Sequence, residues 1–183
     1  MSHDKYHTFW NRFLAIFIDG MILKPLEWMD AHVLSGAIDS LGIMAWGLFY
    51  SVIGIVYYVA MHVRYGQTIG KTIAKVKVLD VSEEGYLSIK QACLRDILPI
   101  LLVPISIYIY IQFAFYNQTW EGLGESSWFL YFGFAMFGWV LLEMISMLFN
   151  DKRRAIHDFI AGSVVVKTNL TSQGSRTASP PAA

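Results

Sequence analysis

Residues 43–63 are a run of 21 with no Asp, Glu, Lys or Arg. That is too long for a strand and matches the roughly 20 apolar residues that carry a helix across a bilayer. Two further segments have the same character. Residues 97–116 are uncharged despite Pro99 and Pro104, and residues 126–149 hold a single charge, Glu143. A fourth segment, residues 9–23, is weaker because Arg12 and Asp19 interrupt it. It qualifies if it extends past Pro25 or thins the bilayer. Composition agrees: 15% of the 183 residues are charged, against about 25% in a soluble domain.

The basic residues fix an orientation. If all four segments cross, residues 24–42 and 117–125 share one side and hold Lys24 alone. The other 13 of 14 Lys and Arg fall on the opposite side, in both terminal stretches and in residues 64–96. Basic loops stay in the cytoplasm, so both termini are expected there and the number of spans is expected to be even. Trp10, Trp28, Tyr65, Trp120 and Trp128 lie near the span boundaries, as interfacial aromatics do. The start of the chain lacks the pattern of a signal peptide, since Asp19 breaks its apolar run and no small-residue cleavage site follows. Residues 171–183 are rich in Ser, Thr, Pro and Ala without hydrophobic period, which predicts a disordered tail.

GQTIGKT, residues 66–72, approaches a phosphate-binding loop and fails on spacing. Three residues separate Gly66 from Gly70 where four are required, and an apolar span precedes the stretch in place of a strand. No nucleotide is expected, and zero net charge gives no field for nucleic acid. Downstream, Ile69, Ile73 and Val76 recur at helical spacing, with Lys71 and Lys75 on another face, which predicts a short basic helix at the membrane surface. Residues 76–80 alternate like a strand. Ser88-x-x-Gln91 is a capping box that starts a helix. Residues 152–162 read as a short helix ended by Gly162, and 163–167 as a second strand. Two lone strands on one side of the membrane would leave backbone groups unpaired, so the two are expected to pair.

RFLAIFID at the first segment, GQTIGKTIAKVKVLD after the second and DKRRAIHDFIAGSVVVK after the last together resemble the RDD family of small membrane proteins, over about residues 8–167. The family is named for one arginine and two aspartates, which match Arg12, Asp19 and Asp158 by position. The resemblance implies that residues 66–72, with Gly66, Gln67, Gly70 and Lys71, form a family loop motif. It also implies two functions that stay open: exchange of a small cation for protons, or an accessory role in a membrane complex.

Asp19 sits several residues inside the bilayer, where an ionisable group is costly and faces the bundle interior. It reads either as a proton or cation carrier with Arg12 as counter-charge, or as a buried aspartate held by Arg12 or another helix. Arg12 lies seven residues away, about 10 Å along the same helix face. Glu143 reads as a second carboxylate beside Asp19, or as a bond to a neighbouring helix. Asp158, beside His157 and the basic run 152–154, reads as part of a pH-sensitive gate or as a brace to basic residues. Gly47, Ser51 and Gly54, and Gly133 and Gly138, are small residues suited to close helix packing.

Cys93 is the only cysteine, which excludes an internal disulfide and a cysteine-based zinc site. His3 and His7 alone make no metal site, and no nucleophile–base constellation marks an enzyme. The expectation is therefore an all-α four-helix transmembrane bundle with spans at about 9–26, 43–63, 97–116 and 126–149 and a small cytoplasmic collar of short helices and a β pair. It lies in a bacterial inner membrane and uses no cofactor or metal. Its partners are the lipid bilayer, anionic lipids at the cytoplasmic face, and a homo-oligomer or a membrane-complex subunit.

Overall fold

The computed structural model describes residues 3–168, so the tail expected at 171–183 lies outside the described residues. A helical turn, His3–Tyr6, leads into α1, Phe9–His32, which runs without a break through Pro25. A wider turn over Val33–Ala37 reverses the chain into α2, Ser40–Tyr65. Residues 24–42, expected as an outer loop, are thus divided among the last turns of α1, the Val33–Ala37 turn and the start of α2. The short helix α3, Ile69–Ile73, and strand β1, Val76–Asp80, follow. Helix α4, Ile89–Arg95, starts at the capping box of Ser88 and Gln91, and a single turn residue, Asp96, separates it from α5, Ile97–Tyr116. Helices α6, Trp120–Gly124, α7, Ser127–Ser146, and α8, Ile156–Ala161, precede strand β2, Ser163–Lys167.

Among the described residues, α2, α5 and α7 are the helices long and apolar enough to cross a membrane. Helix α1 is longer than two of them, but its charges set it apart. The tightest helix pair is α2 with α5. Tyr110 of α5 lies flat against Gly47, where an added Cβ would stand 2.4 Å from the ring. Ser51 meets Ser106 across the same seam at 2.7 Å. The other small residues do not do what the sequence suggested, since Gly54, Gly133 and Gly138 have open space around them. No residue of α7 is buried, so within one chain α7 stands beside the other helices rather than completing a packed bundle.

The two strands pair antiparallel, with Val78 opposite Val165 and Val76 opposite Lys167. An isolated two-stranded ribbon is marginal in water. This one is buried against the helix ends: Val76, Val78 and Val165 pack with Ala15 of α1, Ala74, Leu87 and Ala92, and Val59 and Val63 of α2 lie against them. A second apolar cluster, including Val33, Ile43, Tyr110, Phe113 and Leu123, closes the opposite end.

Candidate functional site

Helix α1 buries only Arg12, Ala15 and Asp19. They fall at i, i+3 and i+7, so one face of α1 meets α3 and the ribbon while the rest is half-buried or exposed. Asp19 is 1% exposed. Its Oδ2 accepts a hydrogen bond from Thr68 Oγ1 at 2.6 Å, and its Oδ1 accepts from the Gly70 amide at 2.8 Å and the Tyr57 hydroxyl at 3.2 Å. Thr68 is also the N-cap of α3, with its hydroxyl oxygen accepting from the Lys71 amide. The carboxylate therefore sits on the first turn of α3, where helix amides lack partners and a negative charge is favoured.

The glycines of the loop motif have different reasons. Gly66 ends α2 at φ +68, a conformation that costs a side chain energy. A Cβ on Gly70 would stand 2.3 Å from the Ala15 carbonyl and 2.7 Å from Asp19 Cγ, so Gly70 is what lets α3 touch α1. Lys71 is half-buried; burial pulls its ammonium down to about 8, and the nearby charge of Arg95 adds to this. Gln67 buries its Oε1 without a hydrogen-bond partner among the described residues.

Arg12 does not pair with Asp19. Its Nη1 meets Asp158 Oδ2 at 2.5 Å, its Nη2 donates to the Arg153 carbonyl at 3.2 Å, and its Nε donates to Thr8 Oγ1 at 3.1 Å. The other oxygen of Asp158 takes Arg95 Nη1 from the end of α4 and Ser163 Oγ from the start of β2. Asp158 Oδ2 also accepts from the Ala155 amide at 3.1 Å. Burial alone would raise the Asp158 carboxyl; the guanidinium groups of Arg12 and Arg95 hold it well below the usual carboxylate range. One fully buried aspartate thus joins α1, α4, α8 and β2.

Glu143 is not beside Asp19 either. It accepts the His157 amide at 3.2 Å and faces His157 Nδ1 at 2.8 Å, tying the end of α7 to α8. Of the residues singled out in the sequence, Arg12 and Asp158 meet, Asp19 meets Gly70 of the loop motif, and Glu143 meets His157. Thr68, Tyr57 and Arg95 complete these contacts and were not anticipated. Thr68 is 49 residues from Asp19 and Arg95 is 63 residues from Asp158, so no local spacing announces either.

Among the described residues, two further buried groups at this end lack hydrogen-bond partners. His62, 2% exposed, has no hydrogen bond at either ring nitrogen, and Asp96 Oδ2, 3.9 Å from its Nδ1, has none. Among the described residues, no three or more His, Cys, Asp or Glu side chains gather to hold a metal ion.

The model of the RDD family matches residues 6–162, which span the first arginine, both aspartates and the loop motif. The chain belongs to the RDD family. Neither the comparison with curated proteins nor that with solved structures gave a match. This RDD protein is thus a membrane protein with apolar helices. In its structure the arginine and two aspartates singled out in the sequence belong to two separate contacts: Arg12 and Asp158 form one, and Asp19 forms the other with the loop.

Proposed function

We propose that this RDD protein is a four-span, non-catalytic platform of a bacterial inner membrane, with its termini and β ribbon in the cytoplasm. The observation that carries the reading is that both oxygens of Asp19 are engaged by donors. Three donors, two of them from the motif 66–72, occupy the carboxylate. A carrier that loads and unloads a cation or proton would have to release the loop on every cycle. A latch keeps it. The 13-to-1 division of Lys and Arg supports the orientation. The 24 residues of α1 rise about 36 Å, enough for a hydrocarbon core of roughly 30 Å. Basic residues around the ribbon suit anionic headgroups, and α7, with no buried residue, offers a face to a second copy or to another membrane subunit.

Exchange of a small cation for protons is the second reading. His62 and Asp96 favour it, because these buried groups have unused hydrogen-bonding capacity. The test is proton flux in liposomes containing the purified protein, under sodium and potassium gradients. The platform reading expects no cation-dependent flux and a loss of detergent stability in Asp19→Asn. Saturable flux that Asp19→Asn abolishes, with stability unchanged, would replace it with the transport reading.

A further inference from the structure

The end of the molecule away from the ribbon carries the opposite charge. Residues 24–42 and 117–125 hold Glu27, Asp30, Asp39, Glu121 and Glu125 against Lys24 alone among Lys and Arg. Such a one-signed surface raises the local concentration of counter-ions. Between α1, α2 and α5 at this end lies a cavity of about 490 Å³, within the size range of small-molecule sites. Glu27 and Asp30 line it, with Tyr50, Tyr110 and Trp120, and the remaining wall is almost wholly apolar. Among the described residues no Lys or Arg lines it, and Lys24 meets it only through its pair with Glu27.

Its polar edge is already oriented. Asp30 Oδ1 accepts from Trp46 Nε1 at 2.9 Å and also from the Tyr110 hydroxyl. Both bonds fall on one oxygen, and no donor among the described residues meets Oδ2. Tyr110 is held in place by its seat on Gly47. Trp46, Tyr50 and Tyr110 form a continuous aromatic row, with neighbouring centroids 6.2 and 6.4 Å apart.

We propose that this cavity binds a free organic ammonium ion, a single positive charge carried on an apolar body. The open oxygen of Asp30 takes the charge, the aromatic faces attract it through their quadrupoles, and the aliphatic wall buries the body. A bare calcium ion draws about six to eight oxygens, chiefly from carboxylates and carbonyls, and among the described residues no three His, Cys, Asp or Glu side chains gather here. An anion would meet two carboxylates. An aminophospholipid headgroup carries similar chemistry, so the test separates the two sources.

The full chain is placed in nanodiscs of phosphatidylglycerol and titrated with benzyltrimethylammonium, read by tryptophan fluorescence and calorimetry. The expected result is saturable binding, roughly tenfold or more weaker for the uncharged isostere neopentylbenzene. Asp30→Asn keeps Oδ1 as an acceptor for Trp46 and Tyr110 and should weaken binding by roughly tenfold. Glu27→Gln should weaken it less, because Glu27 already pairs with Lys24 at 2.5 Å. Ala31→Phe, which fills the cavity, should abolish binding and keeps the test intact if Asp30→Asn fails to fold. Three results would overturn the proposal: no saturable binding, equal affinity for the isostere, or unchanged affinity in folded Asp30→Asn and Ala31→Phe. Competition by phosphatidylethanolamine added to the nanodiscs would overturn the free-ligand assignment in favour of the headgroup.

Discussion

Asp19 and Asp158 are both fully buried aspartates at the same end of the molecule, and they are held by opposite means. Asp158 lies between two guanidinium groups, Arg12 and Arg95. Asp19 has no cation within ion-pair distance among the described residues and is held by two hydroxyls and an amide. The difference separates two jobs that the sequence presents as one motif. An ion triad is rigid and unforgiving, because removing one member strands the others in low dielectric. A carboxylate bound by neutral donors tolerates loss of its charge better, because an amide of the same shape can still accept and donate.

The largest expected effect follows from the triad. Asp158→Asn leaves Arg12 and Arg95 buried without a counter-charge and should cost about 3–5 kcal/mol, seen as a large fall in the thermal or denaturant midpoint in detergent. The pH dependence has a definite sign. The folded Asp158 pKa is depressed below its ordinary value of 3.8, so its stabilisation is present above that value and is lost as pH falls toward the folded pKa. The variant should lack this acid-side loss.

Gly70→Ala and Asp19→Asn come next. The methyl that Gly70→Ala adds must displace α3 from the Ala15 carbonyl, an overpacking cost of about 1–3 kcal/mol. Asp19→Asn breaks charge-assisted hydrogen bonds worth a similar amount, about 1–3 kcal/mol. If Asp19→Asn proved more damaging than Asp158→Asn, the contrast between the two sites would fail.

Lys71 sharpens the contrast from the other side. Its folded pKa of about 8 lies below the ordinary value of 10.5, so folding disfavours its charge. Stability should rise with pH between about 8 and 10.5, and Lys71→Met should remove that rise and stabilise the protein at neutral pH. A destabilised Lys71→Met would mean that the ammonium has a partner that matters.

The smallest effect belongs to Glu83. It joins Lys5, Tyr6 and Lys152 near the surface, and although burial works against it, their hydrogen bonds lower its pKa to about 2. Glu83→Gln should cost no more than about 1 kcal/mol. That contribution should be present above its ordinary value of 4.5 and fade as pH falls toward about 2.

Much of the local structure was legible in the sequence because its causes are local. Ser88 and Gln91 announce a capping box three residues apart, Gly162 ends α8 at φ +63, and alternation marks β1 and a β-branched run marks β2, which pair. The three long apolar helices follow from long runs with at most one charge. What was not legible depends on the fold bringing distant residues together. Seven-residue spacing put Arg12 and Asp19 on one face of α1, and they do share it, yet each reaches a different part of the chain. Of the readings left open, Asp19 is held by other helices rather than by Arg12, and Glu143 bonds a neighbouring helix rather than sitting beside Asp19. A helix face says what a residue points toward only once the neighbouring element is known, and here that element is a five-residue helix rather than another span. The end of α1 was misread because charged residues at 24–30 suggest a loop, whereas Asp30 uses its charge to accept hydrogen bonds from α2 and α5.

The central claim is that Asp19 holds the loop and not the arginine. Two double-mutant cycles measure it in the same purified protein, pairing Asp19→Asn first with Thr68→Val and then with Arg12→Gln. The account predicts a coupling of about 1–3 kcal/mol between Asp19 and Thr68, and between Asp19 and Arg12 a value within about 0.5 kcal/mol of zero. A strong coupling to Arg12 with none to Thr68 would contradict it.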